Sequence, residues 1–221
     1  METKEGITRR PLKSRQTKWA AGIARWLARV GLRPNQISVL SVVFAAAAGI
    51  CFCFTGHAPR NWQWTGLLVL AAAGIQLRLL CNMLDGMVAV EGGFRTKSGE
   101  IYNEFPDRLS DAIILAGAGY AIPEFIWMRD LGWLAAVLAL ITAYVRALGA
   151  SAGATQQFVG PMAKPHRMAA LTAACLLGAL APVSPALARA LPLGLGIIAA
   201  GCVVTIFRRL TRILRELEAK C

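Results

Sequence analysis

Residues 81–111 read CNMLDGMVAVEGGFRTKSGEIYNEFPDRLSD. The stretch sets Asn82, Asp85, Glu91, Glu104, Asp107 and Asp111 directly beside long apolar segments. Ionisable groups in or next to a bilayer are costly and mark functional sites by default. The fold therefore turns on whether the apolar segments around this stretch are membrane spans.

Working outward, the 221-residue chain is 56% hydrophobic and 16% charged, with a mean hydropathy of +0.52. A soluble fold carries more polar surface than this. The apolar residues come in runs, 36–56, 64–90, 112–122, 131–155, 168–188 and 191–207, with short polar or Pro/Gly-containing breaks between them. A hydrocarbon core of roughly 30 Å needs about 20 helical residues. Most runs meet that length, and the third does so if its helix starts near Asn103. The pattern predicts an all-α polytopic membrane protein with six transmembrane helices. Residues 1–35 form a basic tail and an amphipathic helix, 36–207 the six-helix transmembrane domain, and 208–221 a basic tail.

The N-terminal segment is not a signal peptide, because no apolar h-region follows its basic start. Over 18–30, Trp19, Ile23, Trp26, Leu27 and Val30 fall on one helical face, with Lys18, Arg25 and Arg29 elsewhere. Such a helix lies in the headgroup plane, tryptophans at the interface and cations toward anionic lipid. The alternative is a helix packed against the rest of the protein.

A net charge of +12 raises nucleic acid as a partner, and the positions of the charges argue against it. Lys and Arg gather in the N-terminal tail, in the loop of Arg95 and Lys97, in the loop of Lys164 and Arg167, and after Arg208. Six spans place all four segments on one side and leave Arg60, Arg129 and Arg189 on the other. The positive-inside rule then puts both termini in the cytoplasm, with the protein integral to the inner (cytoplasmic) membrane. The six cysteines show neither a CxxC pair nor zinc spacing and read as small apolar fillers.

Arg78, Asn82, Asp85 and Ala89 recur at three- and four-residue spacing and share a face of the second span. Gly92 and Gly93 end that helix. Asn103, Asp107 and Asp111 recur every four residues and form a polar stripe on the start of the third. Pro106 fits only if its missing N–H falls in the first turn. Two antiparallel helices then bring Asn82 and Asp85 opposite Asn103 and Asp107. Oxygen donors from two facing helices suit a hard divalent cation, Mg²⁺ or Mn²⁺. The plainer reading is an interhelical hydrogen-bond network.

The stretch resembles the signature of the CDP-alcohol phosphotransferase family, D-x2-D-G-x2-A-R-x8-G-x3-D-x3-D. Here it reads Asn82-x2-Asp85-Gly86-x2-Ala89-Val90-x8-Gly99-x3-Asn103-x3-Asp107, with the spacing kept at every marked position. GLRPNQIS, 31–38, is similar to the G-x-x-P-N-x-x-T/S segment that precedes the first span in that family. The resemblance covers nearly the whole chain, and its specificity resides in residues 82–107. Three positions depart from it: Asn82 and Asn103 stand where the family has aspartates, and Val90 where it has arginine. Each asparagine keeps an oxygen donor and loses a charge, so one ion, or two held weakly, is expected in place of two. A second alignment makes Asp107 and Asp111 the last two aspartates, at the cost of the glycine.

The resemblance implies a phosphatidyltransferase that moves the phosphatidyl group of CDP-diacylglycerol to an acceptor alcohol and releases CMP. It implies a metal site drawn from Asn82, Asp85, Asn103, Asp107 and Asp111, with Asp107 or Asp111 as the base. It puts Asn35, Gly86, Ala89, Gly99, Arg95 and Lys97 at the nucleotide, the last two in place of the missing arginine. Homodimers are expected of the family. Arg146 inside an apolar run, with Lys164 and Arg167 in the next loop, reads as a pocket for an anionic acceptor. For the two loop residues the simple topology signal competes evenly with that reading. Two other functions fit less well: a family member that binds lipid or nucleotide without turnover, suggested by the two asparagines, and a small-solute or ion transporter. The acids cluster at one end of two helices rather than along a path, which speaks against transport.

Overall fold

The computed structural model describes residues 17–94 and 99–220. Among the described residues it is built of helices: α1 (Lys18–Arg29), α2 (Pro34–Thr55), α3 (Trp62–Glu91), α4 (Gly99–Ala118), α5 (Ile126–Ser151), α6 (Lys164–Gly178) and α7 (Ala190–Glu218), with a 3-10 turn at Pro185–Arg189 before α7. Residues 1–16, Arg95 and Lys97 lie outside the described residues.

Among the described residues, four helical segments are long and apolar enough to cross a membrane: Pro34–Thr55, Trp62–Glu91, Ile126–Ser151 and Pro185–Glu218. The other two expected spans are of a different kind. The 20-residue α4 carries Glu104, Asp107, Arg108 and Asp111 ahead of its apolar last turns. The run 168–188 is not one helix. α6 spans 15 residues and ends at Gly178, and Pro182 and Pro185 lie in the turn that follows, where their missing N–H groups end regular helix. α4 also begins earlier than expected, so Pro106 sits inside the helix rather than in its first turn.

Helices α2 to α7 run alternately up and down. At one end Arg60 pairs with Glu124 at 3.0 Å, and the buried Trp64 indole donates to the Gly178 carbonyl at 2.9 Å. At the other end the polar stretch meets the start of α6. Between the ends, alanines and glycines let backbones close in. A Cβ added to Gly117 of α4 would lie 2.8 Å from the Gly49 Cα of α2, and one added to Gly132 of α5 would lie 2.7 Å from the Gly119 Cα just past α4. The main core, with Phe52, Leu68, Ile75, Leu115, Met128 and Leu171 among its members, fills the rest.

Helix α1 uses two faces. Ala20 and Ala24 are buried on the α3 side, in a cluster with Ile37, Leu84, Met87 and Val88. Trp19 (53% exposed), Trp26 (60%) and Val30 (59%) face outward. Packing by the alanine face leaves the tryptophan face exposed.

α7 runs unbroken from Ala190 to Glu218. Arg209, counted in the sequence as a tail charge, is buried and donates to the carbonyls of Val159, at 3.0 Å, and Thr142. The 156–163 loop is fastened to α7. The Met162 N–H donates to Thr205 Oγ1 at 3.0 Å. Gly160 sits at φ +118°, its α-carbon so close to Thr205 that a Cβ would clash at 2.5 Å. Gly149 packs on Ile213, and Gly153 lies beyond the end of α5 at φ +93°.

Candidate active site

The polar stretch folds into two facing helical edges. Their registers run in opposite directions, so Asn82 of α3 meets Asp107 of α4, and Arg78, one turn deeper, meets Asp111. Asn82 Nδ2 donates to Asp107 Oδ1 at 2.6 Å. Arg78 Nη2 donates to Asp111 Oδ1 at 2.6 Å, to the Asp107 carbonyl at 3.0 Å and, at 3.4 Å, to Asp107 Oδ1. Asp85 is buried against α2, where Ser38 Oγ donates to its Oδ2 at 2.8 Å. The other oxygen accepts from the N–H of Gly86. The Pro-Asn turn thus has a structural purpose: it starts α2 so that Ser38, one turn later, reaches Asp85.

The start of α6 closes the cluster. Lys164 Nζ donates to Asn82 Oδ1 and to Asp107 Oδ2. Arg167, buried, donates to Asp111 Oδ2 at 2.7 Å, to Thr142 Oγ1 at 3.1 Å and to the Met162 carbonyl at 2.9 Å. Asp111 therefore has one guanidinium on each oxygen. Asp85, Asp107 and Asp111 are matched formally by Arg78, Lys164 and Arg167. Buried charges persist in low dielectric when they are paired in this way.

Asn103 is half-buried on the same α4 face, one turn before Asp107. Gly86, Ala89 and Gly99 are half-buried along the mouth of the cluster, and Asn35 is half-buried at the start of α2. The cations assigned to the acceptor divide among three acids: Lys164 serves Asp107, Arg167 serves Asp111, and Arg146 donates to Glu104 Oε2 at 2.6 Å. Arg108 meets the same Glu104 oxygen. Arg146 opens instead onto a groove of about 520 Å³ lined by Ile101, Glu104, Phe105, Leu140 and Tyr144. Sequence reasoning gave no role to Arg78 or Ser38. Arg78 carried the same cue as Arg146, a cation inside an apolar run.

No family model matches the chain. A curated relative, phosphatidylinositol phosphate synthase of Mycobacterium tuberculosis, is 29% identical over 198 residues, covering 85% of this chain and 82% of the relative. Two crystal structures of the M. tuberculosis synthase share the fold. One, with CDP-DAG bound, aligns with a TM-score of 0.73 at 24% identity over 89% of this chain and 94% of that one. The other, in complex with manganese and citrate, aligns with a TM-score of 0.73 at 23% identity over 88% of each chain. Relatives of that length, the fold and the spacing of the 82–107 signature agree. The chain is similar to members of the CDP-alcohol phosphotransferase family. Within that CDP-alcohol phosphotransferase signature, this chain places two carboxylates and two carboxamides where the family places four carboxylates.

Among the described residues, no group of three or more His, Cys, Asp or Glu side chains is arranged to hold a metal ion. The donors that fit a hard cation are mixed: the Asn82 and Asn103 carboxamide oxygens and the carboxylates of Asp85 and Asp107. Their chemistry suits one Mg²⁺ or Mn²⁺ ion, and two of their oxygens are engaged by Lys164.

Proposed function

We propose that this protein is an integral-membrane phosphatidyltransferase that moves the phosphatidyl group of CDP-diacylglycerol to an acceptor alcohol with release of CMP. The observation that carries this reading is the bond of Asn82 on α3 to Asp107 on α4, with Asp85 and Asn103 one turn away along the same two helices, inside a fold shared with a synthase that binds CDP-DAG. All six helices from α2 to α7 cross the inner membrane. Both termini and the site lie on the cytoplasmic side, in keeping with the distribution of Lys and Arg.

In the reaction, the acceptor oxygen forms a bond to the phosphorus of the phosphatidyl group. The bond from that phosphorus to the bridging pyrophosphate oxygen breaks, and CMP leaves with the electron pair. Positioning and charge stabilisation supply most of the rate in such displacements. Asn82, Asp85, Asn103 and Asp107 would hold one Mg²⁺ or Mn²⁺, which when bound neutralises charge on the pyrophosphate. Asp107 accepts the acceptor's proton at a carboxylate oxygen. Asp111 holds Arg78 and Arg167 in place rather than meeting substrate. Gly86, Ala89 and Gly99 leave room for the nucleotide beside the backbone, with Arg95 and Lys97 at its phosphates. Arg146 and its groove receive the acceptor.

Purified protein given CDP-diacylglycerol, Mn²⁺ or Mg²⁺ and, in turn, glycerol phosphate, serine or an inositol phosphate should release CMP with one acceptor. Absence of CMP with every acceptor, while CDP-diacylglycerol still binds, would establish the second reading that Asn82 and Asn103 favour, a member that binds donor without turning it over.

A further inference from the structure

The helix that supplies Lys164 breaks a local rule. The first turn of α6 contains Lys164, His166 and Arg167 and no acidic residue. Cations at a helix N-terminus oppose the macrodipole, whose positive end lies there. A position that breaks a local preference needs compensation elsewhere, and here it comes from α3 and α4. Lys164 spans from one to the other, its ammonium on Asn82 Oδ1 and Asp107 Oδ2. Those two oxygens belong to the donor set for a divalent cation. Asp107 and Asp111 pair with Arg78, Lys164 and Arg167, Asp85 is held by Ser38 and the Gly86 N–H, and asparagine at 82 and 103 adds no further negative charge, so three acids stand formally against three cations.

The three cations differ in freedom. Arg78 and Arg167 are buried, each donating from one nitrogen to an oxygen of Asp111. Lys164 is a compact charge on a flexible stem, and 20% of its side chain is exposed. It alone can withdraw without stripping Asp111.

We infer that Lys164 is a tethered cation that occupies the metal position of the resting site, so that a divalent ion binds by displacing its ammonium from Asn82 and Asp107. This rests on the metal site proposed above. It makes the site neutral and closed without metal, and it sets metal affinity by competition between an intramolecular ammonium and a free ion.

Two measurements on the full-length protein in detergent test it, neither using CDP-diacylglycerol. The first is calorimetric titration with Mn²⁺ alone. Lys164→Met should bind Mn²⁺ at least tenfold more tightly than the unmodified chain, and Lys164→Arg, which keeps the charge, should not. Equal or weaker binding by a folded Lys164→Met protein overturns the inference. The second needs no variant. Labelling with an amine-reactive reagent, read by mass spectrometry, should proceed faster at Lys164 when Mn²⁺ is added, with Lys220 as the internal reference. A rate at Lys164 that is unchanged or slowed by Mn²⁺ overturns it equally. Failure of CMP release would leave both results standing, and failure of both would leave the transferase reading to its own test.

Discussion

At Asp111 both carboxylate oxygens are taken by guanidinium groups, from Arg78 at 2.6 Å and Arg167 at 2.7 Å. Replacing it by asparagine leaves two buried cations short of an anion. Breaking one partner of a buried pair costs about 3–5 kcal/mol, so Asp111→Asn should show its main effect as a lowered thermal unfolding midpoint in detergent. Asp85→Asn and Asp107→Asn should instead cut CMP release by about a hundredfold or more, the scale of a lost proton acceptor. Loss of turnover from Asp111→Asn at unchanged stability would reassign the roles. The two asparagines give a further expectation. Asn82→Asp with Asn103→Asp adds two charges at the metal donors and should lower the Mn²⁺ concentration for half-maximal CMP release by about tenfold, a factor worth about 1.4 kcal/mol. An unchanged requirement would remove both residues from the metal. At this scale the sequence exposed the acids and amides through their spacing. It did not expose the pairings: Arg78 could be placed on the face of Asn82 and Asp85 but not against Asp111, and the proximity of residues 29 to 82 positions apart has no periodicity to read.

Among the helices, close approach rests on glycine where α2 crosses α4. The Gly117 site has a Gly49 backbone atom 2.8 Å from where a Cβ would stand, while a Cβ at Gly66 of α3 meets nothing within 4 Å. Overpacking typically costs about 1–3 kcal/mol, and a clash against backbone cannot be relieved by a rotamer change. Gly117→Val should therefore lower the unfolding midpoint clearly and Gly66→Val hardly at all; equal effects would show that the α2–α4 contact is not tight. The all-helical class and the α3–α4 pairing were legible from the long apolar runs and from the polar stripe. Boundaries were less so. Pro106 looked like a first-turn residue because local chemistry favours it there, yet tertiary packing carries α4 back to Gly99. The run 168–188 looked continuous because its prolines are flanked by apolar residues.

For the molecule as a whole, the proposed topology places the basic residues of both ends and of two loops on one side of the bilayer. A reporter fused after Cys221 should be active only in its cytoplasmic form, and activity on the far side would sink the six-span arrangement. The distribution of the buried ion cluster along the chain also has a consequence for biogenesis. Asp107 and Asp111 emerge from the ribosome well before Lys164 and Arg167. During that interval Arg78 is the cation within the first hairpins that can neutralise α4. The α3–α4 pair should thus enter the bilayer as a unit, with the Arg78–Asp111 pair formed first and α6 docking late. In a nascent chain halted near residue 130, Arg78→Leu should reduce the fraction of α4 that reaches a translocated glycosylation reporter. The same change in the finished chain should matter less to topology, because Arg167 has by then arrived at the same carboxylate.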